Sequence, residues 1–218
     1  MLKRLARLAL FAGLLSVLAQ IAEERLLRKI DNTPNPEGWK PPKFPEGHSI
    51  AVPVSDGAVL SIAIAGPDEG PIALLVHGIT QCNDTWGLVG EQLVRKGWRT
   101  VGLHQRGHAG STVGTDGFSA ERLGADLGEA IEALDLDDVV LVGHSLGGIA
   151  MQSLLTGPRR PAIARIRAGI LVSTTSAATD PVRRVAAAFM QRDLYELLYR
   201  HPDHGRVMRR FAFGPTPS

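Results

Sequence analysis

Val139-Val140-Leu141-Val142 runs directly into Gly143-His144-Ser145-Leu146-Gly147, and an apolar, helix-compatible stretch from Ile149 to Leu155 leaves it. A strand, a sharp turn and a helix thus follow one another with a serine at the apex. No other stretch constrains the fold as much. A turn this tight forces the serine toward strained backbone angles, and the glycines at 143 and 147 let strand and helix approach without Cβ clashes. The geometry lifts the Ser145 hydroxyl above the strand ends. It also aims the first amides of the following helix at whatever the serine meets. Ser145 is therefore the candidate nucleophile, and the plain alternative is a tight turn with no chemistry.

The rest of the chain supplies a sheet for that turn. Ile50–Val54 and Val59–Ile64 flank Ser55-Asp56-Gly57, a hairpin pattern. Ile72–Val76 is a short apolar run ending at His77-Gly78, and Thr100–Leu103 is a second. Leu88–Lys96 reads as helix. Ala120–Leu134 does too, with Leu123, Leu127, Ile131 and Leu134 at the 3.6-residue period. A further strand falls within Arg167–Val172. An antiparallel opening followed by alternating strands and helices predicts an α/β fold, a mostly parallel sheet with helices on both faces. Ligands meet such sheets at the carboxyl ends of the strands, where His77-Gly78, His104 and Ser145 all fall.

The 218 residues carry a formal net charge of +2, and no basic-aromatic stripe is visible, which argues against a nucleic-acid partner. The charge is uneven, net −5 over residues 1–157 and net +7 over 158–218, which reads as a solvated basic helical face. Cys82 is the single cysteine, so neither an internal disulfide nor a cysteine zinc site is available. No metal site and no nucleotide loop are visible, so no cofactor is expected.

Residues 1–30 form a separate object. Lys3, Arg4 and Arg7 precede Leu8–Ala22, a run without a charge, and Glu23-Glu24-Arg25 closes it. This matches a signal peptide, with Val17 and Ala19 before a cleavage site. It also suits a short membrane anchor, although a run rising about 1.5 Å per residue falls short of a ~30 Å hydrocarbon core. An amphipathic helix packed on the domain is the third option. The expectation is an exported or membrane-anchored protein, with a cytoplasmic one as the alternative. Residues 31–48 are a proline-rich linker, 49–178 the core, and 179–218 a helical, lid-like segment.

Four landmarks in order resemble the α/β-hydrolases, in their lipase/esterase-like branch, over about residues 49–213. His77-Gly78 with Trp86 eight residues on looks like that family's oxyanion-loop signature. Arg106-Gly107-His108 through Ser111 resembles its Asp-x-Arg-Gly-x-Gly-x-Ser loop. His104 stands there for the usual Asp and Ala109 for the usual Gly. Gly143–Gly147 resembles the nucleophile elbow, and the apolar strand before Ser173 resembles the strand after it. The resemblance implies a small-molecule ester as substrate and an acyl-enzyme on Ser145. It implies oxyanion-hole amides from Leu146 and Ile79, with Thr80 as second choice for the latter. Trp86 and His104 become candidate substrate contacts, and His108, like His104, is a candidate for the pocket wall. The alternatives are loop packing for Trp86 and a surface loop for His104 and His108. His77 and His144 are placed as structural histidines rather than bases.

The same resemblance raises a difficulty. In this fold the order is serine, acid, histidine, and the 45 residues after Ser173 read as helix with no run of strand length. Three readings follow. One is a C-terminally truncated hydrolase. Another is a compact enzyme using Asp180 as acid and His201 or His204 as base; Asp180-Pro181 is also a good helix N-cap and His201–His204 a polar turn. The third is a non-enzymatic, ligand-binding relative. Val185, Phe189, Met190, Leu194 and Leu198 in the lid-like segment suggest a hydrophobic acyl or alcohol group, or simply residues packed on the core.

Overall fold

The computed structural model describes residues 21, 25, 28, 38 and 40–175. A compact unit begins at Pro41. Its described part contains six strands: β1 (His48–Pro53), β2 (Val59–Ala65), β3 (Ile72–Val76), β4 (Arg99–Leu103), β5 (Val139–His144) and β6 (Ile166–Val172). Four α-helices accompany them: α1 (Gly87–Arg95), α2 (Ala120–Ala133), α3 (Leu146–Thr156) and α4 (Arg160–Ala164). A single 3₁₀ turn, Asn83–Trp86, leads into α1. The strands form one sheet in the order β1-β2-β4-β3-β5-β6. β2 pairs antiparallel with both β1 and β4, and all pairings beyond β4 are parallel. The expected α/β fold with its antiparallel opening is therefore present.

Alternation along the strands builds two cores. Leu74 and Val76 of β3 face α2 and α3, together with Val101, Leu103 and Leu141. Ala73 and Leu75 point to the other face, where Trp86, Phe44, Leu93 and Trp98 cover them. Helices on both faces explain why β3 and β5 are so apolar: a strand buried on both sides has no solvent face to mark with polar residues. Ser119 caps α2, its Oγ accepting the Arg122 N–H at 3.1 Å. Leu123, Leu127 and Ile131 are buried as their period predicts. At Gly124 a Cβ would lie 2.7 Å from the Leu154 nitrogen of α3, so the two helices touch through a glycine. Phe44 draws residues of the proline-rich stretch onto the domain, its N–H donating to Asp84 Oδ1 at 2.9 Å. The domain so includes residues ahead of Ser49.

Beneath the site lies a buried ionic cluster. Arg106, just after β4, has no solvent exposure. Its five N–H groups are all used. Nε and Nη2 reach the two Asp126 oxygens on α2 at 2.6 and 2.8 Å, Nη1 and Nη2 reach the Asp56 carboxylate in the β1–β2 turn at 2.8 and 3.1 Å, and Nη1 also donates to the Gly117 carbonyl. Burial works against the Arg106 charge, but the two carboxylates outweigh it and hold the guanidinium charged. Arg106 in turn keeps Asp56 well below the usual carboxylate range. Arg122 extends the cluster from Asp126 to Glu129, and Glu129 accepts from both the N–H and the hydroxyl of Ser55. One arginine thus ties the hairpin turn, the loop after β4 and α2 together.

Among the described residues no helix is long and apolar enough to cross a membrane. Apart from the helical, exposed Ile21, the run from Leu8 to Ala22 lies outside them, as does the segment 179–218. Replacing Arg106 by methionine strands the buried Asp56 carboxylate and leaves Asp126 with Arg122 alone. The expected loss is about 3–5 kcal/mol of unfolding free energy by urea denaturation; a loss within about 0.5 kcal/mol, typical of an exposed position, would show that the cluster does not hold the hairpin.

Candidate active site

Register brings the site together. Val76 pairs with Leu103 on one side and Gly143 on the other. The three parallel strands thus end within one residue of each other, with His77 and His104 just beyond β3 and β4, His144 closing β5 and Ser145 following it. Ser145 stands at φ 50°, ψ −112°, a conformation costly for a residue with a Cβ. The fold holds it there from several directions. Its N–H donates to the Val172 carbonyl of β6 at 3.0 Å, and its carbonyl accepts from Gly148, Ile149 and the Thr174 hydroxyl. A Cβ on Gly147 would fall on the Val76 carbonyl, and one on Gly143 would lie 2.6 Å from the Gly147 carbonyl. Both glycines are thus demanded by close approach, as their place in the motif suggests.

The loop after β3 lies against the serine. A Cβ on Gly78 would sit 3.2 Å from Ser145 Cβ. Gln81 braces this loop: its Oε1 accepts the Gly78 N–H at 2.8 Å and lies 3.0 Å from His144 Nδ1. Thr80 has φ 62°, and its N–H donates to His108 Nε2 at 3.2 Å. The Thr80 amide, second choice as an oxyanion donor, is therefore occupied. The Ile79 N–H makes no hydrogen bond to a described residue. Leu146 is the first residue of α3, where an amide has no acceptor within the helix. Gly147, the next residue of α3, also has an amide that bonds to no described residue.

Both ring nitrogens of His77 are engaged. Nδ1 donates to the Gly78 carbonyl at 2.7 Å and Nε2 accepts the Gln105 N–H at 3.2 Å. Burial, helped by the nearby His108, His104 and His144, pushes its pKa down to about 3 against the carbonyl bond. His77 is a neutral structural residue, as expected. His144 has Nδ1 on Gln81 and its ring edge-on to Trp86, 6.5 Å between centroids. Trp86 is buried in the α1-side core, so of its two expected roles it takes the packing one. His104 is half-buried. Its main chain is tied to Ser61 and Ser111, and its ring lies 5.9 Å from that of His77.

His108 is the residue that sequence reasoning missed. A surface loop or a pocket wall was expected; it is buried and bonded to the loop after β3. Its only trace in the sequence is its place two residues after Arg106. Asp180, His201 and His204 lie outside the described residues. Ser145 Oγ hydrogen-bonds to no described side chain, and no cluster of potential metal ligands occurs among the described residues.

The family model for the alpha/beta hydrolase fold matches residues 71–204. The chain is 32% identical over 108 residues to a non-heme chloroperoxidase of Burkholderia pyrrocinia, covering 50% of this chain and 38% of that one. It is 31% identical over 97 residues to a bifunctional esterase/perhydrolase of Acinetobacter calcoaceticus, covering 44% and 35%. The crystal structure of a hydrolase from Pseudomonas aeruginosa superposes with a TM-score of 0.57 at 29% identity, over 70% of this chain and 57% of that one. The strand order, the serine turn and the family match together place the chain in the α/β-hydrolase family. The matched stretch spans less than half the length of those two curated relatives.

Two outcomes follow from this geometry. Ser145→Gly removes a strained Cβ, and the expected gain is about 1–2 kcal/mol of stability in urea unfolding; unchanged stability would mean that the serine is unstrained. The second concerns acid. Unfolded, His77 takes a proton near its ordinary 6.5; folded, it resists until about 3. Between those values the unfolded chain holds one proton more, so stability falls as pH drops, by up to about 1.4 kcal/mol per unit for this group. Urea titrations from neutral to about pH 4.5 read that slope; a flat profile would exclude a buried neutral His77.

Proposed function

We propose that this chain is a serine hydrolase of carboxylic esters. Ser145 attacks the ester carbonyl and forms an acyl-enzyme, the alcohol leaves with a proton, and water then releases the acid. The Ile79 and Leu146 amides receive the oxyanion that forms in each step. The observation that carries this reading is the strained Ser145, set between a loop and a helix start that each offer an uncommitted N–H. Within this chain, Asp180 is the proposed acid and His201 or His204 the proposed base. The hydrophobic part of the ester is proposed to meet the lid-like segment.

A second reading changes only the acceptor. The relatives named chloroperoxidase and esterase/perhydrolase favour hydrogen peroxide in place of water, giving a peroxy acid and the free serine. Residues 8–22 are proposed as an export signal or anchor. Recovery of the full-length chain wholly in the soluble cytoplasm would overturn that.

A fluorophosphonate probe tests the serine directly. Wild-type protein is expected to be labelled covalently and Ser145→Ala not at all. Labelling that survives the substitution would remove Ser145 as nucleophile. A stably folded wild type that binds esters without being labelled would instead support a ligand-binding relative. With labelling in hand, p-nitrophenyl esters of increasing chain length, with and without peroxide, separate the two acceptors.

A further inference from the structure

Thr80 occupies the left-handed region, which a β-branched residue adopts at a cost of about 1–3 kcal/mol. Besides the bond from His77 Nδ1 to the Gly78 carbonyl, three contacts fix the loop in this shape. Two are local: Gly78 N–H to Gln81 Oε1, and Gln81 N–H to the Gly78 carbonyl. The third, from Thr80 N–H to His108 Nε2, comes from a residue 28 positions along the chain.

That third contact depends on which ring nitrogen carries the proton. His108 Nδ1 lies 3.0 Å from the Arg106 carbonyl, which can only accept, so Nδ1 holds the hydrogen and Nε2 presents a lone pair. The ring sits between His77, 5.1 Å away, and Phe118, 6.2 Å away. Burial disfavours its charged form, against the pull of the Arg106 carbonyl. Arg106 is itself fixed by Asp56, Asp126 and Gly117. The acceptor for Thr80 is thus aimed through a chain of rigid contacts that starts in the ionic cluster.

We propose that His108 is a positioning residue for the oxyanion loop: its Nε2 takes up the Thr80 N–H and leaves the Ile79 N–H as the loop's free donor beside Ser145. The proposal rests on the serine-hydrolase reading for its catalytic consequence, but not for the contact itself. Without the acceptor, the Thr80 amide loses the one hydrogen bond it makes to a described residue. The Ile79–Thr80 peptide is then free to turn and the strained Thr80 to relax, which moves Ile79 Cα and tilts the adjoining Gly78–Ile79 peptide that carries the Ile79 N–H.

Two isosteres separate positioning from mere packing. Glutamine at 108 brings an amide oxygen to the neighbourhood of Nε2, whereas asparagine reaches only that of Nδ1. The full-length chain is compared as wild type, His108→Gln, His108→Asn and His108→Leu. Hydrogen exchange of the Thr80 amide, fluorophosphonate labelling rate and Tm are measured on each. Asn and Leu are expected to lose the Thr80 protection and to label Ser145 about 10- to 100-fold more slowly. Gln keeps both near wild type, although its Tm falls as far as that of Asn. The proposal is overturned if Gln and Asn behave alike, or if Leu keeps wild-type protection and labelling. Should Leu fail to fold, the Gln and Asn pair decides. If the wild type itself is not labelled, the hydrolase reading fails, while the exchange of the Thr80 and Ile79 amides across the variants still upholds or overturns the role of His108.

Discussion

The Arg106 cluster is the constraint on which the rest of the domain depends. A buried guanidinium is tolerable only when all its N–H groups and its charge are matched, and here the matching groups come from three distant parts of the chain. Asp56 comes from the first hairpin, Asp126 from the middle of α2, and the Gly117 carbonyl from the loop leading into that helix. Around this cluster the loop after β4 is laid along β2, with Ser111 bonded to Ser61 and Thr112 to Val59. A cluster of this kind need not raise stability over an apolar replacement. Its effect is to fix one arrangement, because Asp56 and Arg106 apart from one another would each leave a buried charge short of its counter-ion.

That fixity reaches the serine through two routes. Along the sheet, β3, β4 and β5 end within one residue of each other, so the turns after them share one edge. Across the loops, Arg106 orients His108, His108 holds Thr80, and Gly78 of the same loop lies so near Ser145 that an added Cβ would come within 3.2 Å of the Ser145 Cβ. Thr80 and Ser145, like Ser173 just after β6 at the same edge, have backbone angles that such residues would not adopt alone. Their strain is sustained by groups without strain of their own: two strands, two glycines and a neutral histidine.

Much of the fold could be read from the sequence, because strands and helices leave local periodic marks. The hairpin, β3, β5 and the amphipathic face of α2 stand close to where their patterns put them. The Gly-x-Ser-x-Gly turn was legible for the same reason: two glycines and an apolar strand are adjacent in the chain. What stayed hidden was non-local. Nothing in Arg99–Leu103 says that β4 inserts between β2 and β3, since a short apolar run carries no mark of its neighbours. Asp56 reads as an ordinary turn residue until Arg106 is brought to it. Helix α4 is five residues long and starts at Arg160-Pro161, too short to show a period. His108 was misplaced because its meaning lies in the atom it faces, and Thr80 is 28 residues away.

The pattern of committed and uncommitted polar groups gives the site its direction. Around Ser145 the carbonyls of Ser145 and Gly78, the amides of Gly78 and Thr80, and ring nitrogens of His77, His108 and His144 all have partners. Asn83 Oδ1, Trp86 Nε1, His104 Nδ1 and Gln105 Oε1 lack them, but each is closed off from solvent. The half-buried Ser145 keeps its hydroxyl free of any described partner, and so do the amides of Ile79, Leu146 and Gly147. A donor already bonded within the protein must first be released before it can meet a developing oxyanion, whereas a held but unoccupied donor needs no such step. Occupying the Thr80 amide is therefore not a lost opportunity for binding. In the proposed ester chemistry it leaves the neighbouring Ile79 N–H as the loop's donor for the serine, and a donor held in place beforehand favours a transition state over the ground state that precedes it.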